Sequence, residues 1–192
     1  MKNNDQLRNR PDPCDAPGLY LGRHNTWGDT VAEMRSNFNN SFSLPPHPTA
    51  QVTPIQTDGV AAELISMPQG NSDRIILYLH GGGFAMGSCQ TYRRLAADLA
   101  AAANSSVLLI DYRLAPEYPY PAALEDTLTA YRWLIDTLRF SPSQVAIAGD
   151  SAGGNLALRR VSSRTIQISL SVSPFMMSYI QSFSTLAYLA EV

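Results

Sequence analysis

Val145-Ala146-Ile147-Ala148-Gly149-Asp150-Ser151-Ala152-Gly153-Gly154-Asn155-Leu156-Ala157-Leu158 is the stretch that decides the fold. Its first four residues are an uninterrupted apolar run, as a strand buried on both faces requires. Its last four can continue as a helix. Between them Gly149-Asp150-Ser151-Ala152-Gly153 matches G-x-S-x-G, in which a serine stands on a tight strand-to-helix turn. The demand is steric. Glycines two residues to either side remove β-carbons that would strike the strand and the helix, and a strained backbone pushes the hydroxyl outward. A helix N-terminus beneath the serine favours developing negative charge. An ordinary Gly-rich turn has the same composition, so the flanking strand and helix give the pattern its weight.

Working upstream, Ile75 to Leu79 and Val107 to Ile110 are further buried-strand runs. Tyr92, Leu95, Ala96, Leu99 and Ala100 recur at helical spacing. Leu124, Leu128, Tyr131, Ile135 and Leu138 predict one face of a long helix ended by Pro142. Strands alternating with such helices imply crossover units and a mostly parallel sheet flanked by helices. Val52 to Thr57 and Ala61 to Ser66 read as a hairpin around Asp58-Gly59. Val31, Met34 and Phe38 predict a short helix capped by Asp29 or Thr30. Leu44-Pro45-Pro46-His47-Pro48 reads as a linker, because proline continues neither helix nor inner strand. The expected division is therefore 1–48, an N-terminal segment and linker, and 49–192, the core domain. Ile166 to Val172 is expected as the next strand.

Composition excludes several classes. With 14 Lys+Arg against 16 Asp+Glu and a net charge of −2, no basic face for nucleic acid or anionic membrane is expected. The longest apolar stretch, Leu95 to Ala103, is interrupted by Asp98 and too short to span a bilayer. Met1 to Asp15 is polar, unlike a signal peptide, and Cys14 and Cys89 are too few for a disulfide framework. These features imply a soluble, cytoplasmic chain. No metal-ligand cluster or cofactor motif is present, and oligomeric state is not legible.

A second motif, His80-Gly81-Gly82-Gly83-Phe84, closes the strand 75–79. Three consecutive glycines let the backbone approach a substrate and aim N–H groups at one point. In acyl transfer such donors hold a tetrahedral oxyanion. A phosphate-binding loop is the competing interpretation, but neither G-x-G-x-x-G nor G-x-x-x-x-G-K-[ST] occurs.

Together with Asp111-Tyr112-Arg113-Leu114-Ala115-Pro116-Glu117 and Pro119-Tyr120-Pro121-Ala122-Ala123, these blocks resemble the hormone-sensitive-lipase family of α/β-hydrolases over roughly residues 50–158. The likeness leans to its bacterial acetyl-esterase and lactone-hydrolase branch. The resemblance implies a carboxylic ester hydrolase using no cofactor, with small acyl esters or lactones as substrates. It implies Ser151 as nucleophile and the N–H groups of Gly82, Gly83 and Ala152 as the oxyanion hole. His80, Gly81, Gly149, Asp150 and Gly153 would support the motifs, with His80 bracing the glycine loop rather than acting as base. Asp111 to Pro121 would buttress the site, and residues before about 45 would form part of a cap.

The family's chain order is serine, acid, histidine. His24, His47 and His80 all precede Ser151, and Glu191 is the sole acid after the elbow. A C-terminally truncated family member, from a partial gene or a frame disturbance near Arg159 to Thr165, is therefore expected. Such a chain would be a weak enzyme, since a serine without a base is a poor nucleophile. Two alternatives stay open. One is a non-catalytic binder or inert fragment, as in plant gibberellin receptors, which share the family's fold without a working histidine. The other takes the Gly-Asp-Ser segment as chymotrypsin-like, against which the helical patterns argue.

Overall fold

The computed structural model describes residues 27–161. The chain enters through helix α1 (Val31–Phe42), whose start is fixed by a reciprocal cap. Thr30 Oγ1 accepts the Glu33 N–H, and the Glu33 carboxylate accepts the Thr30 N–H. Two of the orphan donors of the first turn are satisfied in this way. Of the two expected caps, Thr30 is the one used.

Strands β1 (Gln51–Thr57) and β2 (Val60–Ser66) form the predicted hairpin, with Asp58 and Gly59 both at positive φ. Strand β3 (Asn71–Leu79) is longer than the apolar run suggested, and its pairing is irregular between Asn71 and Ile75. Helix α2 (Cys89–Ala103) follows, opened by Ser88 and closed by Asn104 in the left-handed conformation. Strand β4 (Ser105–Ile110), helix α3 (Ala122–Asp136), strand β5 (Val145–Gly149) and helix α4 (Ala152–Val161) complete the described chain.

The sheet order is β1-β2-β4-β3-β5. The hairpin and its junction with β4 are antiparallel, whereas β3 runs parallel to both β4 and β5. Side chains alternate between two apolar layers, as strand periodicity demands. Ile75, Leu77, Leu79, Leu108, Ile110 and Ile147 pack on one side with Leu134 and Leu156. Tyr78, Val107 and Leu109 pack on the other with Phe38, Ala96 and Ala100. Each fully buried leucine or isoleucine contributes about 1.5–3 kcal/mol relative to exposure.

One expectation fails in detail. Helix α3 stops at Asp136, so Leu138 lies beyond it and is 40% exposed. Tyr131 is buried as expected, and Leu124 and Ile135 are half-buried against the core, but the other buried positions, Ala122, Asp126, Thr127, Ala130 and Leu134, turn the face away from the predicted one. The cause is polar: Asp126 is drawn inward to accept the Arg113 backbone N–H and guanidinium. The expected strand at 166–172 and the first part of the segment 1–48 lie outside the described residues. No helix among the described residues is long and apolar enough to cross a membrane.

Candidate active site

Parallel pairing places the site. Leu79 on β3 stands opposite Gly149 on β5, so the strands end level and their following loops emerge side by side. This is the carboxyl edge of the parallel strands, where open α/β sheets bind ligands.

Ser151 occupies the β5–α4 turn at φ +50°, left-handed for a residue with a β-carbon, and is exposed. Such a conformation costs about 1–3 kcal/mol and persists only where its surroundings impose it. Here the turn is locked by Gly153 N–H on Asp150 O (2.8 Å) and Asn155 N–H on Ser151 O (3.0 Å). A β-carbon on Gly149 would stand 2.5 Å from Gly153 C, and one on Gly153 would collide with Leu79 O. Strand β3 thus presses on the elbow, which is why glycine flanks it.

Residues Gly82, Gly83 and Phe84 all hold positive φ. Their turn closes through Ala85 and Met86 N–H groups on Gly82 O, and a β-carbon on Gly82 would collide with Met86 O. Among the described residues no acceptor meets the N–H of Gly82, Gly83 or Ala152.

The elbow and the glycine loop are joined by Asp150. Its Oδ1 accepts the Gly81 N–H (2.9 Å) and the Tyr78 hydroxyl (3.1 Å), and its Oδ2 accepts the Tyr92 hydroxyl (2.9 Å). Burial pushes the carboxyl above its ordinary value, against the pull of these three donors. Burial and the neighbouring Asp150 charge raise the Tyr78 and Tyr92 phenols in turn, so both stay protonated donors.

His80 is fully buried, its ring stacked on Tyr112 at 4.2 Å between centroids. Its Nδ1 lies 2.8 Å from Gly81 O, an acceptor only, so that nitrogen carries the proton. Nε2 has no partner among the described residues. Burial lowers the pKa, keeping the ring neutral. The Tyr112 hydroxyl donates to His80 O at 2.6 Å, tying in the segment 111–121. That segment is braced by Asp111 accepting the Cys89 N–H at 2.6 Å and by Arg113 on Asp126. His47 is elsewhere, with Nε2 3.9 Å from Asp98 on α2.

Ser151, Ala152, Asp150 and the loop Gly81 to Gly83 therefore converge at one sheet edge. An open cleft of about 390 Å³, lined by Arg35, Arg113, Leu114, Glu117 and Tyr118, contains none of them. Sequence inspection missed Tyr78 and Tyr92, whose only signal is a hydroxyl on an otherwise apolar strand and helix face. It also missed Arg35, whose partners are 50 to 82 residues away.

A family profile described as alpha/beta hydrolase fold matches residues 76–179. An esterase of Acinetobacter venetianus is 41% identical over 115 residues, 60% of this chain and 37% of that protein. An acetyl-hydrolase of Streptomyces hygroscopicus is 47% identical over 91 residues, 47% of this chain and 30% of that protein. The solved structure of an esterase from the bacterial hormone-sensitive lipase family superimposes with a TM-score of 0.68 at 40% identity, over 73% of this chain and 48% of that one. The chain thus spans about a third of the length of these relatives and about half of the solved structure.

Proposed function

The chain belongs to the hormone-sensitive-lipase family of α/β-hydrolases, and we propose that it carries the nucleophile half of a carboxylic ester hydrolase. The observation that supports this most strongly is Ser151 at φ +50°, on a turn tied through Asp150 to the glycine loop.

Ser151 Oγ attacks the ester carbonyl carbon while its proton passes to a base. The carbonyl oxygen becomes an oxyanion held by the N–H groups of Gly82, Gly83 and Ala152. Each such donor is worth about 2.7–4 kcal/mol. Collapse expels the alcohol, which takes up a proton, and leaves an acyl-serine. Water then attacks that ester, releasing the acid and restoring Ser151. The acetyl-hydrolase relative favours small acyl groups, in esters or lactones, as substrates. Residues 1–48 act as the cap segment and 49–192 as the hydrolase core.

The base is the weak point of this chain. No histidine follows Ser151. His80 has its Nδ1 proton committed to Gly81 O, and His47 lies against Asp98. Acting alone, the chain is expected to hydrolyse esters only slowly through Ser151, because a serine without a base is a poor nucleophile. With His80 and His47 both engaged elsewhere, the alternative is a site that binds esters without turnover.

A fluorophosphonate probe separates the two. Hydrolase chemistry predicts a covalent adduct mapped to Ser151 by peptide mass spectrometry in the folded chain. A folded preparation left unlabelled would favour the binder or an inert fragment.

A further inference from the structure

Arg35, on α1, makes contacts that the elbow and glycine loop do not account for. Its Nε–H donates to Ala85 O (2.8 Å), and its Nη2–H groups donate to Ala115 O (3.0 Å) and the Glu117 carboxylate (2.6 Å). Nη1 donates to the other Glu117 oxygen (2.9 Å). One planar fork therefore ties α1 to the end of the glycine turn and to the segment 111–121. A lysine, with a single point of charge, could not span all three acceptors.

Helix α1 has anchors besides this fork. Phe38 packs on Phe42 at 4.5 Å and faces Tyr92 at 6.5 Å, while Trp27 lies against both phenylalanines. Asn39 also accepts the Thr91 hydroxyl at 2.7 Å. These contacts anchor α1 on α2 from another side.

The glycine turn, by contrast, has few tethers. Internally it is closed by Ala85 and Met86 on Gly82 O. Its entry is held by Asp150 on Gly81 N–H. Its exit is held by Ala115 N–H on Phe84 O (2.8 Å) and by Arg35 on Ala85 O. A closed turn held at both ends keeps its orientation; with one of its two exit tethers removed, it is freer to pivot. The Gly82 and Gly83 N–H groups ride on that turn.

We propose that Arg35 is a positioning residue for the oxyanion hole, coupling the N-terminal helix to the glycine turn through Ala85 and Ala115. The proposal deepens the ester-hydrolase function and rests on it. An oxyanion that forms only in the transition state makes the effect one on kcat rather than on KM.

The test uses the full 192-residue chain with Arg35→Met, Arg35→Lys and Glu117→Gln, read in two ways. Amide hydrogen exchange is followed at Ala85, Met86 and Ala115, and Ser151-dependent hydrolysis of p-nitrophenyl acetate is followed in parallel. R35M is expected to speed exchange at these amides by on the order of tenfold, with protection within α1 retained. It is expected to lower kcat by on the order of 10- to 100-fold at little change in KM. R35K is expected to recover part of the loss, and E117Q, which keeps both carbonyl contacts, to lose less than R35M. Unchanged exchange at all three amides in R35M would overturn the proposal. So would loss of protection confined to α1 with kcat intact. If the parent chain shows no Ser151-dependent hydrolysis, ester hydrolysis by this chain fails, while the exchange data still decide the role of Arg35.

Discussion

Three donors converge on the half-buried Asp150 carboxylate, and their geometry separates its shape from its charge. An alanine there would strand the Gly81 N–H and the Tyr78 and Tyr92 hydroxyls. Asp150→Ala is expected to cost about 1–3 kcal/mol, measured by urea unfolding. Asp150→Asn should cost less, because both Oδ1 bonds survive and the Tyr92 hydroxyl can turn to accept from the new amide. Equal losses in the two variants would contradict this account of the network. The charge has its own signature. The native carboxyl is held above its ordinary value, so the folded chain keeps a proton that the unfolded chain has released. Stability from this group is therefore fully present below the ordinary carboxylate pKa and lost as pH rises through the raised native value. The stability of the parent chain relative to D150N should fall across that window, and a pH-independent difference would contradict it.

Among the elements, α3 shows where local pattern and tertiary structure part. Periodicity predicted Leu138 on the buried face, yet the helix ends at Asp136 and Arg139 adopts φ +61°. Leu134, fully buried against the sheet, takes the core position instead. Leu134→Ala is expected to lower stability by about 2–5 kcal/mol, while Leu138→Ala should stay within about 0.5 kcal/mol. Reversed magnitudes in chemical denaturation would restore the predicted face. The strands and the elbow were legible because their determinants are local: apolar runs set β3, β4 and β5, and glycine spacing sets the turn. The face of α3 was not, since the inward pull on Asp126 comes from Arg113. The same holds for the tyrosines. Nothing near Tyr78 or Tyr92 in sequence announces Asp150 as the partner of both.

Across the whole molecule, two apolar layers clamp a mixed sheet whose parallel strands bring the glycine loop and the elbow to one edge. Sequence motifs identified both loops, and the register of β3 on β5 explains why they meet. What motifs could not reveal is how the loops are held: Asp150 ties the elbow to the entry of the glycine turn, and Arg35 ties the exit of that turn to α1 and the segment 111–121. The family assignment rests on this shared core, whereas the proposed chemistry rests on Ser151. Turnover of p-nitrophenyl acetate by the chain, beside Ser151→Ala, tests that point most directly. The account predicts a slow hydrolysis above background that S151A abolishes; equal rates in the two proteins would contradict it.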